Sequence, residues 1–265
     1  IPAVAPHSAY TCGEETLRAA AALAHRTGVP LLIHLAESPG EMETVKNRTG
    51  QSPAQYLAKL GVLEMRVIAA HCIYVDDADR ALLASKRVGC VHNPSSNMKL
   101  ASGISPIPAL RAAGVAVGLG TDGPAGSNND LNLFEEMDLA AKLQKSFSRD
   151  PRTLPAADAL ALATSEGARA LGLEAEIGSL EAGKHADLIV VRRDAPHAIP
   201  AYDVYSQIVY SLKASDVEAS IINGRVVMAG RRVLTLDEAA IRRQVEAYAA
   251  QVRETLGRQG ASRQR

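Results

Sequence analysis

Four short apolar runs punctuate the first half of the chain: Val29 to Ile33, Val67 to Ala70, Val88 to Val91, and Val115 to Leu119. Each is too short for a helix and ends in polar residues, as strands buried in a parallel sheet do. The segments between them have helical period and start signals. Thr11-Cys12-Gly13-Glu14 has the spacing of a capping box, and Ser52-Pro53 and Ser105-Pro106 each place a cap before a first-turn proline. Strands therefore alternate with helices. His34, His71, His92 and Asp122 follow the runs at intervals of 37, 21 and 30 residues, about one βα unit plus loops. In a (β/α)8 barrel the chemical groups gather at the C-terminal ends of the strands, so this rhythm points to one shared site.

After about Leu173 the rhythm changes. A Gly-containing stretch, Ile177 to Lys184, leads into Ala186 to Val191, then Val217 to Ile222, Asn223-Gly224, and Arg225 to Met228. Asn-Gly between two β-branched runs is the strongest short hairpin signal, so a small β appendage is expected. Leu236 to about Leu256 is helical in period, and the polar end, 257–265, is expected to fray. The expected organisation is a barrel part over 1–173, a β-sandwich part over 174–235, and a helix with tail over 236–265. The chain opens without Met and already inside an apolar stretch, which reads as a piece of something longer.

Composition narrows the function classes. With 265 residues, 47% apolar and 22% charged, the chain can bury an ample core without disulfides or metals. Lys plus Arg and Asp plus Glu are both 29, so no basic surface for nucleic acid is implied. No apolar run reaches membrane-spanning length, and no basic-then-apolar leader opens the chain. Three cysteines without CxxC spacing argue against a disulfide framework and a thiolate zinc site, favouring a reducing, cytoplasmic compartment.

The strand-end residues are the candidates for chemistry. A lone histidine after an apolar run is more often structural than a ligand, but Glu37 lies three residues beyond His34. A metal-held water near His34 would then lie within reach of Glu37 as proton carrier. His71 suits either a ligand or a group orienting that water. Cys72 beside it reads as a small buried residue. His92 precedes a polar loop, and its role is open. Asp122 is either an Asp-Gly turn residue or a hard ligand for Zn²⁺ or Fe²⁺ that also takes a proton. No His-x-His pair occurs to complete a ligand set. His25 falls in a predicted helix, and His185 and His197 fall in the expected appendage.

Six stretches then occur in order: Pro6 to Thr11, His34-Leu35-Ala36-Glu37-Ser38, Ala70-His71-Cys72, His92 to Gly103, Gly120-Thr121-Asp122-Gly123, and Ser127 to Leu131 with Phe134 to Met137. Together they closely resemble the amidohydrolase superfamily and, within it, the 5-methylthioadenosine/S-adenosylhomocysteine deaminase group. Gly178 to Leu188 resembles the return of the β-sandwich found across that superfamily. The resemblance implies the C-terminal part of a TIM-like α/β barrel followed by the C-terminal part of a small β-sandwich and a terminal helix. It also implies one divalent metal, zinc first and iron as the alternative, and hydrolytic deamination of an adenine nucleoside. By position, His34 and Asp122 would be metal ligands, with Asp122 also the general base. Glu37 would protonate the ring nitrogen, His71 would orient the water, His7 would contact the nucleoside, and Ser127 would shape the base pocket. The resemblance leaves a homo-oligomer open.

The family's His-x-His strand and the strands ahead of His7 have no counterpart, so about five barrel strands and a half-built metal site are expected, with the chain inactive or poorly folded alone. Three residues separate Gly123 from Ser127, where related sequences often have two. Two other readings share the scaffold. One is hydrolysis of another aminated heterocycle, such as a triazine chlorohydrolase. The other is a non-catalytic binding module, against which Glu37 argues, because a relic needs no proton carrier.

Overall fold

The computed structural model describes residues 1–263. Each apolar run forms a strand: β1 Leu31–Leu35, β2 Val67–His71, β3 Gly89–His92 and β4 Ala116–Leu119. They pair in parallel in chain order. α1 Glu14–Thr27 precedes β1. α2 Pro39–Thr49 and α3 Pro53–Lys59 lead to β2, α4 Asp77–Ser85 to β3, and α5 Pro94–Lys99 with α6 Ile107–Ala112 to β4. α7 Leu133–Ser148, α8 Ala156–Ala163 and α9 Ser165–Leu171 follow. The segment ahead of α1 adds a reduced fifth strand, with Val4 and Ser8 making isolated parallel bridges to Leu31 and His34. Pro2 and Pro6 there lack the N–H groups a longer ladder requires.

One sheet face is core. Leu31, Ile33, Leu35, Val67, Ala69, Cys90 and Val117 are all buried, packed with Leu17, Leu57, Leu83 and Leu110 from four helices. The register puts His34, Ala70, Val91 and Gly118 together on the opposite face. α9 approaches that second face at β3 and β4. A Cβ on Gly89 would lie 1.9 Å from the Ala170 carbonyl oxygen, and one on Gly118 would lie 3.1 Å from Gly167 Cα. Glycine at these two strand positions is what lets the helix backbone come so close.

The start signals divide. Ser52 caps α3 in a reciprocal box with Gln55. Thr11 does not cap α1, whose N-cap is Gly13, because its hydroxyl bonds Ser8 Oγ at 2.7 Å and His7 Nδ1 at 2.9 Å. Ser105 does not cap α6 either. Pro106 takes that place, and the Ser105 hydroxyl donates to the Cys72 carbonyl at 3.1 Å.

The second sheet is antiparallel, with β5 Leu188–Val191, β6 Val217–Ile222, β7 Arg225–Ala229 and β8 Arg232–Val233 in that order. The expected hairpin joins β6 and β7. Asn223 and Gly224 have φ of 50° and 72°, the left-handed pair of a type I′ turn. The chain forms two compact units: Ile1–Lys184 with Arg193–Asp216, and His185–Arg192 with the chain from Val217 onward. The 193–216 stretch, which contains the one-turn α10 Val204–Ser206, thus groups with the parallel sheet. Its Val209 is buried in a cluster with Met137 and Ala159. His197 therefore lies outside the appendage, with its Nε2 2.8 Å from Asp216 Oδ2. α11 spans Glu238–Arg263, so helix continues through most of the tail expected to fray, and the last two residues of that expectation lie outside the described residues. Among the described residues no helix is long and apolar enough to cross a membrane.

Candidate active site

The ends of β1, β2 and β4 bring three predicted residues to one point. His71 Nε2 lies 3.8 Å from Glu37 Oε2 and 3.9 Å from Asp122 Oδ2. The His34 ring stacks on His71 with centroids 5.5 Å apart, and the His7 ring lies 4.7 Å from that of His34. Ser127 is linked to this group indirectly: its hydroxyl donates to the Gly123 carbonyl at 3.0 Å, and it also contributes a hydrogen bond favouring ionised Asp122.

The backbone at these strand ends is unusual. Ala36, His71, Cys72 and Asp122 have φ of 53°, 75°, 48° and 61°. Left-handed non-glycine residues cost roughly 1 kcal/mol or more each, and strain of this kind clusters at functional sites. Neighbouring strands hold it in place. The Leu35 carbonyl accepts from Cys72 N–H at 3.0 Å, and the Ala36 carbonyl accepts from Tyr74 N–H at 2.9 Å.

Each side chain has a definite electrostatic setting. His34 Nδ1 lies 2.7 Å from the His7 carbonyl oxygen. A carbonyl only accepts, so Nδ1 carries the hydrogen, which leaves Nε2 as the nitrogen through which this ring could bind an ion. His71 Nδ1 lies 2.8 Å from Asn97 Oδ1, while His71 Nε2 is buried without a protein partner. Burial pushes the Asp122 carboxyl up, but hydrogen bonds from Ser96 Oγ at 2.7 Å, Gly123 N–H at 2.7 Å and Ser127, with nearby His71, hold it below its ordinary value. Glu37 accepts from Ser102 Oγ at 3.2 Å, and its backbone N–H donates to Glu41 Oε2 at 2.8 Å. Burial, then the charge of His71, lowers His92 to about 3, so it stays neutral. Burial and then Cys90 push the Cys72 thiol well up, as befits a packing residue.

A divalent cation fits this donor set. The His34 imidazole and the ionised Asp122 carboxylate are ligands of the type zinc and iron take, and the His71 Nε2 without a hydrogen-bond partner lies 3.9 Å from that carboxylate. Among the described residues no group of three or more His, Cys, Asp or Glu side chains is arranged to hold a metal.

Several supporting residues were not singled out from the sequence. Ser96, Asn97 and Ser102 all fall in the polar stretch after His92, where any of them could equally be a loop residue. Glu136, 1% exposed, accepts from Ser95 N–H and Asn128 Nδ2, both at 3.0 Å, while Asn128 Nδ2 also donates to the Thr121 carbonyl at 2.7 Å. It thereby clamps the loop that carries Asp122. Gly118-Leu119-Gly120-Thr121-Asp122-Gly123 has GxGxxG spacing, yet the next helix begins only at Leu133, so it is no phosphate-binding turn. Gly120 is required for space, since a Cβ there would lie 2.6 Å from Asn93 Oδ1.

Comparison with known proteins gives a consistent result. The chain is 48% identical over 251 residues to the 5-methylthioadenosine/S-adenosylhomocysteine deaminase of Desulforudis audaxviator, covering 95% of this chain and 58% of that protein. It is 50% identical over 240 residues to the enzyme of that name from Moorella thermoacetica, covering 91% and 56%. A zinc-bound adenosine deaminase from Xanthomonas campestris superposes with a TM-score of 0.90 at 37% identity, covering 94% of this chain and 57% of that one. Zinc-bound atrazine chlorohydrolase from Arthrobacter aurescens gives 0.83 at 26%, covering 92% and 53%. The chain thus spans less than two thirds of the length of these relatives. The model of the Amidohydrolase family matches residues 2–227, and with a TIM-barrel-like α/β sheet presenting His34, Glu37, His71 and Asp122 at its strand ends, the chain belongs to that family.

Proposed function

We propose that the protein containing this chain is a metal-dependent hydrolytic deaminase of adenine nucleosides of the 5-methylthioadenosine, S-adenosylhomocysteine or adenosine type. The carrying observation is the placement of two carboxylates, Glu37 and Asp122, each within 4 Å of His71 Nε2, at 3.8 and 3.9 Å. Replacing a ring amine by oxygen needs a base for water, an acid for the ring nitrogen, and a group that fixes the water between them.

His34 and Asp122 would hold the ion. A bound divalent ion, zinc first, supplies Lewis acidity that lowers the pKa of water towards neutrality. Asp122, kept ionised by Ser96 and Gly123, takes a proton from the attacking water. Glu37 delivers a proton to the ring nitrogen beside the amine-bearing carbon. His71 Nε2, with its lone pair free, accepts a hydrogen bond from the water and fixes its direction. The amine leaves as ammonia once it has gained the proton the water lost, passed on by Asp122, and the hydroxyl left on the carbon becomes the ring carbonyl by returning a proton to Glu37. His7, exposed beside His34, contacts the nucleoside, and the 121–128 loop with Ser127 borders the base. The 48–50% identity to the nucleoside deaminases, against 26% to the triazine enzyme, favours an adenine ring.

The test is ammonia release from methylthioadenosine, S-adenosylhomocysteine and adenosine by the full gene product loaded with zinc. At least one should turn over, and Glu37→Gln should lower the rate by about 10²–10⁴-fold. Inertness towards all three, with turnover of a triazine, would replace this reading by the heterocycle alternative.

A further inference from the structure

The Asn97 carboxamide lies between two buried imidazoles, and Asn93 Nδ2 approaches His71 Nδ1 at 3.5 Å, a far longer contact than the 2.8 Å of Asn97 Oδ1. Asn97 is 1% exposed, and so are His71 and His92. Asn97 Oδ1 lies 2.8 Å from His71 Nδ1, and Asn97 Nδ2 lies 3.4 Å from His92 Nδ1. Neither histidine has a partner for its Nε2 among the described residues. His71 is the imidazole that faces Glu37 and Asp122, whereas no role has so far been given to His92.

An amide has one end that only accepts and one end that only donates. Of two neutral imidazoles touching its two ends through Nδ1, one must carry its hydrogen on Nδ1 and the other on Nε2. The tautomers are then complementary. With the oxygen towards His71, that ring is the Nδ1–H form with a lone pair on Nε2, and His92 is the Nε2–H form. The structure places Asn97 Oδ1 against His71 Nδ1 in the shorter of the two contacts, at 2.8 Å. A neutral His71 so held can only accept a hydrogen bond in the reaction space.

We propose that Asn97 is a positioning residue that fixes His71 as an acceptor by locking it and His92 into opposite tautomers. What this means for catalysis rests on the deaminase reading above, but the coupling itself does not. His92 is the far end of the lock. Its neutrality follows from burial and matters here because a protonated His92 would carry hydrogen on both nitrogens and deny the amide its acceptor.

The coupling is read directly by ¹⁵N NMR of the histidine side chains in the full gene product, at about pH 8.5, some two units above the ordinary imidazole pKa. No substrate or activity is needed, so failure of the deaminase reading leaves the test intact. The expected pattern is hydrogen on Nδ1 of His71 and on Nε2 of His92. Asn97→Asp turns the donor end into a second acceptor, so His92 should move its hydrogen to Nδ1 while His71 stays unchanged. Asn97→Leu, similar in size but without polar ends, should release both rings into tautomer mixtures. A purely packing role for Asn97 would leave the tautomers of a folded Asn97→Asp protein as they were, and that outcome overturns the proposal. So does the reverse assignment in the wild-type chain. A hydrogen-exchange or circular dichroism check that Asn97→Asp remains folded keeps the comparison valid; if it is unfolded, Asn97→Leu gives the reading, and retention of both wild-type tautomers in it overturns the proposal.

Discussion

The two sheets have similar strand lengths and opposite burial. On the core face of the parallel sheet Leu31, Ile33, Leu35, Val67, Ala69, Cys90 and Val117 are at most 3% exposed. Along the antiparallel sheet no strand residue is buried, and Ile189, Val190, Ile222 and Val226 are each about half exposed. Hydrogen-bonded ladders are present in both, so the ladder is not what separates them. The difference is the layer of helices over one face, which turns apolar side chains into core, and apolar burial is the dominant favourable term in folding. The site sits on the sheet that has such a layer. Catalytic geometry that must hold to fractions of an ångström needs rigid support, and the strained φ values at Ala36, His71 and Asp122 persist only where the surroundings over-determine them.

The largest break in this comparison comes from matched truncations. Leu35→Ala removes a fully buried side chain from β1 and is expected to cost about 2–5 kcal/mol. Ile189→Ala, at 50% exposure on β5, should cost under about 1.5 kcal/mol. Urea unfolding of the two variants decides it. Equal losses would mean that the antiparallel sheet is far better covered than its exposure indicates. Next in size is Gly89→Ala. Its Cβ would meet the Ala170 carbonyl, which is backbone and gives way only if α9 moves, so roughly 1–3 kcal/mol is expected. Hydrogen exchange in α9 should then rise along with the loss in stability. Smaller again is Ser52→Ala, which removes the capping box of α3 and one bond to Asp79, for about 1–2 kcal/mol in the same denaturant series.

Much of the parallel sheet was legible because a strand buried among neighbours reads as a short unbroken apolar run. The boundaries were displaced: β1 was expected at Val29 to Ile33 and lies at Leu31–Leu35, which puts His34 inside the strand instead of after it. The run marks where apolar residues are, while the ladder is set by the register with β2, and that is long-range information. The fifth strand was less legible because two prolines reduce it to isolated bridges. His34, Glu37, His71 and Asp122 stood out as residues at strand ends. Asn97, Glu41 and Glu136 did not, since each acts through partners four to forty-one positions away, and a polar residue in a loop gives no sign of what folding places against it. His197 was misplaced for the same reason, as its neighbour Asp216 lies nineteen positions on.

The smallest expected effect tests whether support for the site has an electrostatic cost. Glu41 is 1% exposed, accepts the Glu37 N–H, and leaves Oε1 buried without a partner. Burial raises its pKa, with the nearby Glu37 charge adding to the rise, while the N–H groups of Glu37 and Ala36 and the charge of His34 oppose it. The sign follows from proton binding. Between the ordinary glutamate pKa and the raised one, the folded chain binds more protons at Glu41 than the unfolded chain does, so stability falls as pH rises through that window. Asp122 runs the other way. Its lowered pKa contributes stability above the ordinary aspartate value, and that contribution is lost as pH falls through the lowered one. Acidification from neutrality should therefore strengthen the parallel-sheet unit through Glu41 before it weakens it through Asp122. Glu41→Gln keeps an oxygen for the Glu37 N–H and removes the ionisation, so it should shrink the first phase, to which the raised Asp79 and Glu136 also contribute, and leave the second in place. Melting temperature followed from pH 7 downwards, at about half-unit steps around the ordinary carboxylate range, reads both phases. A variant that keeps the full rise on acidification would show that Glu41 is ionised at little cost, and that the support beneath Glu37 is not bought with a buried charge.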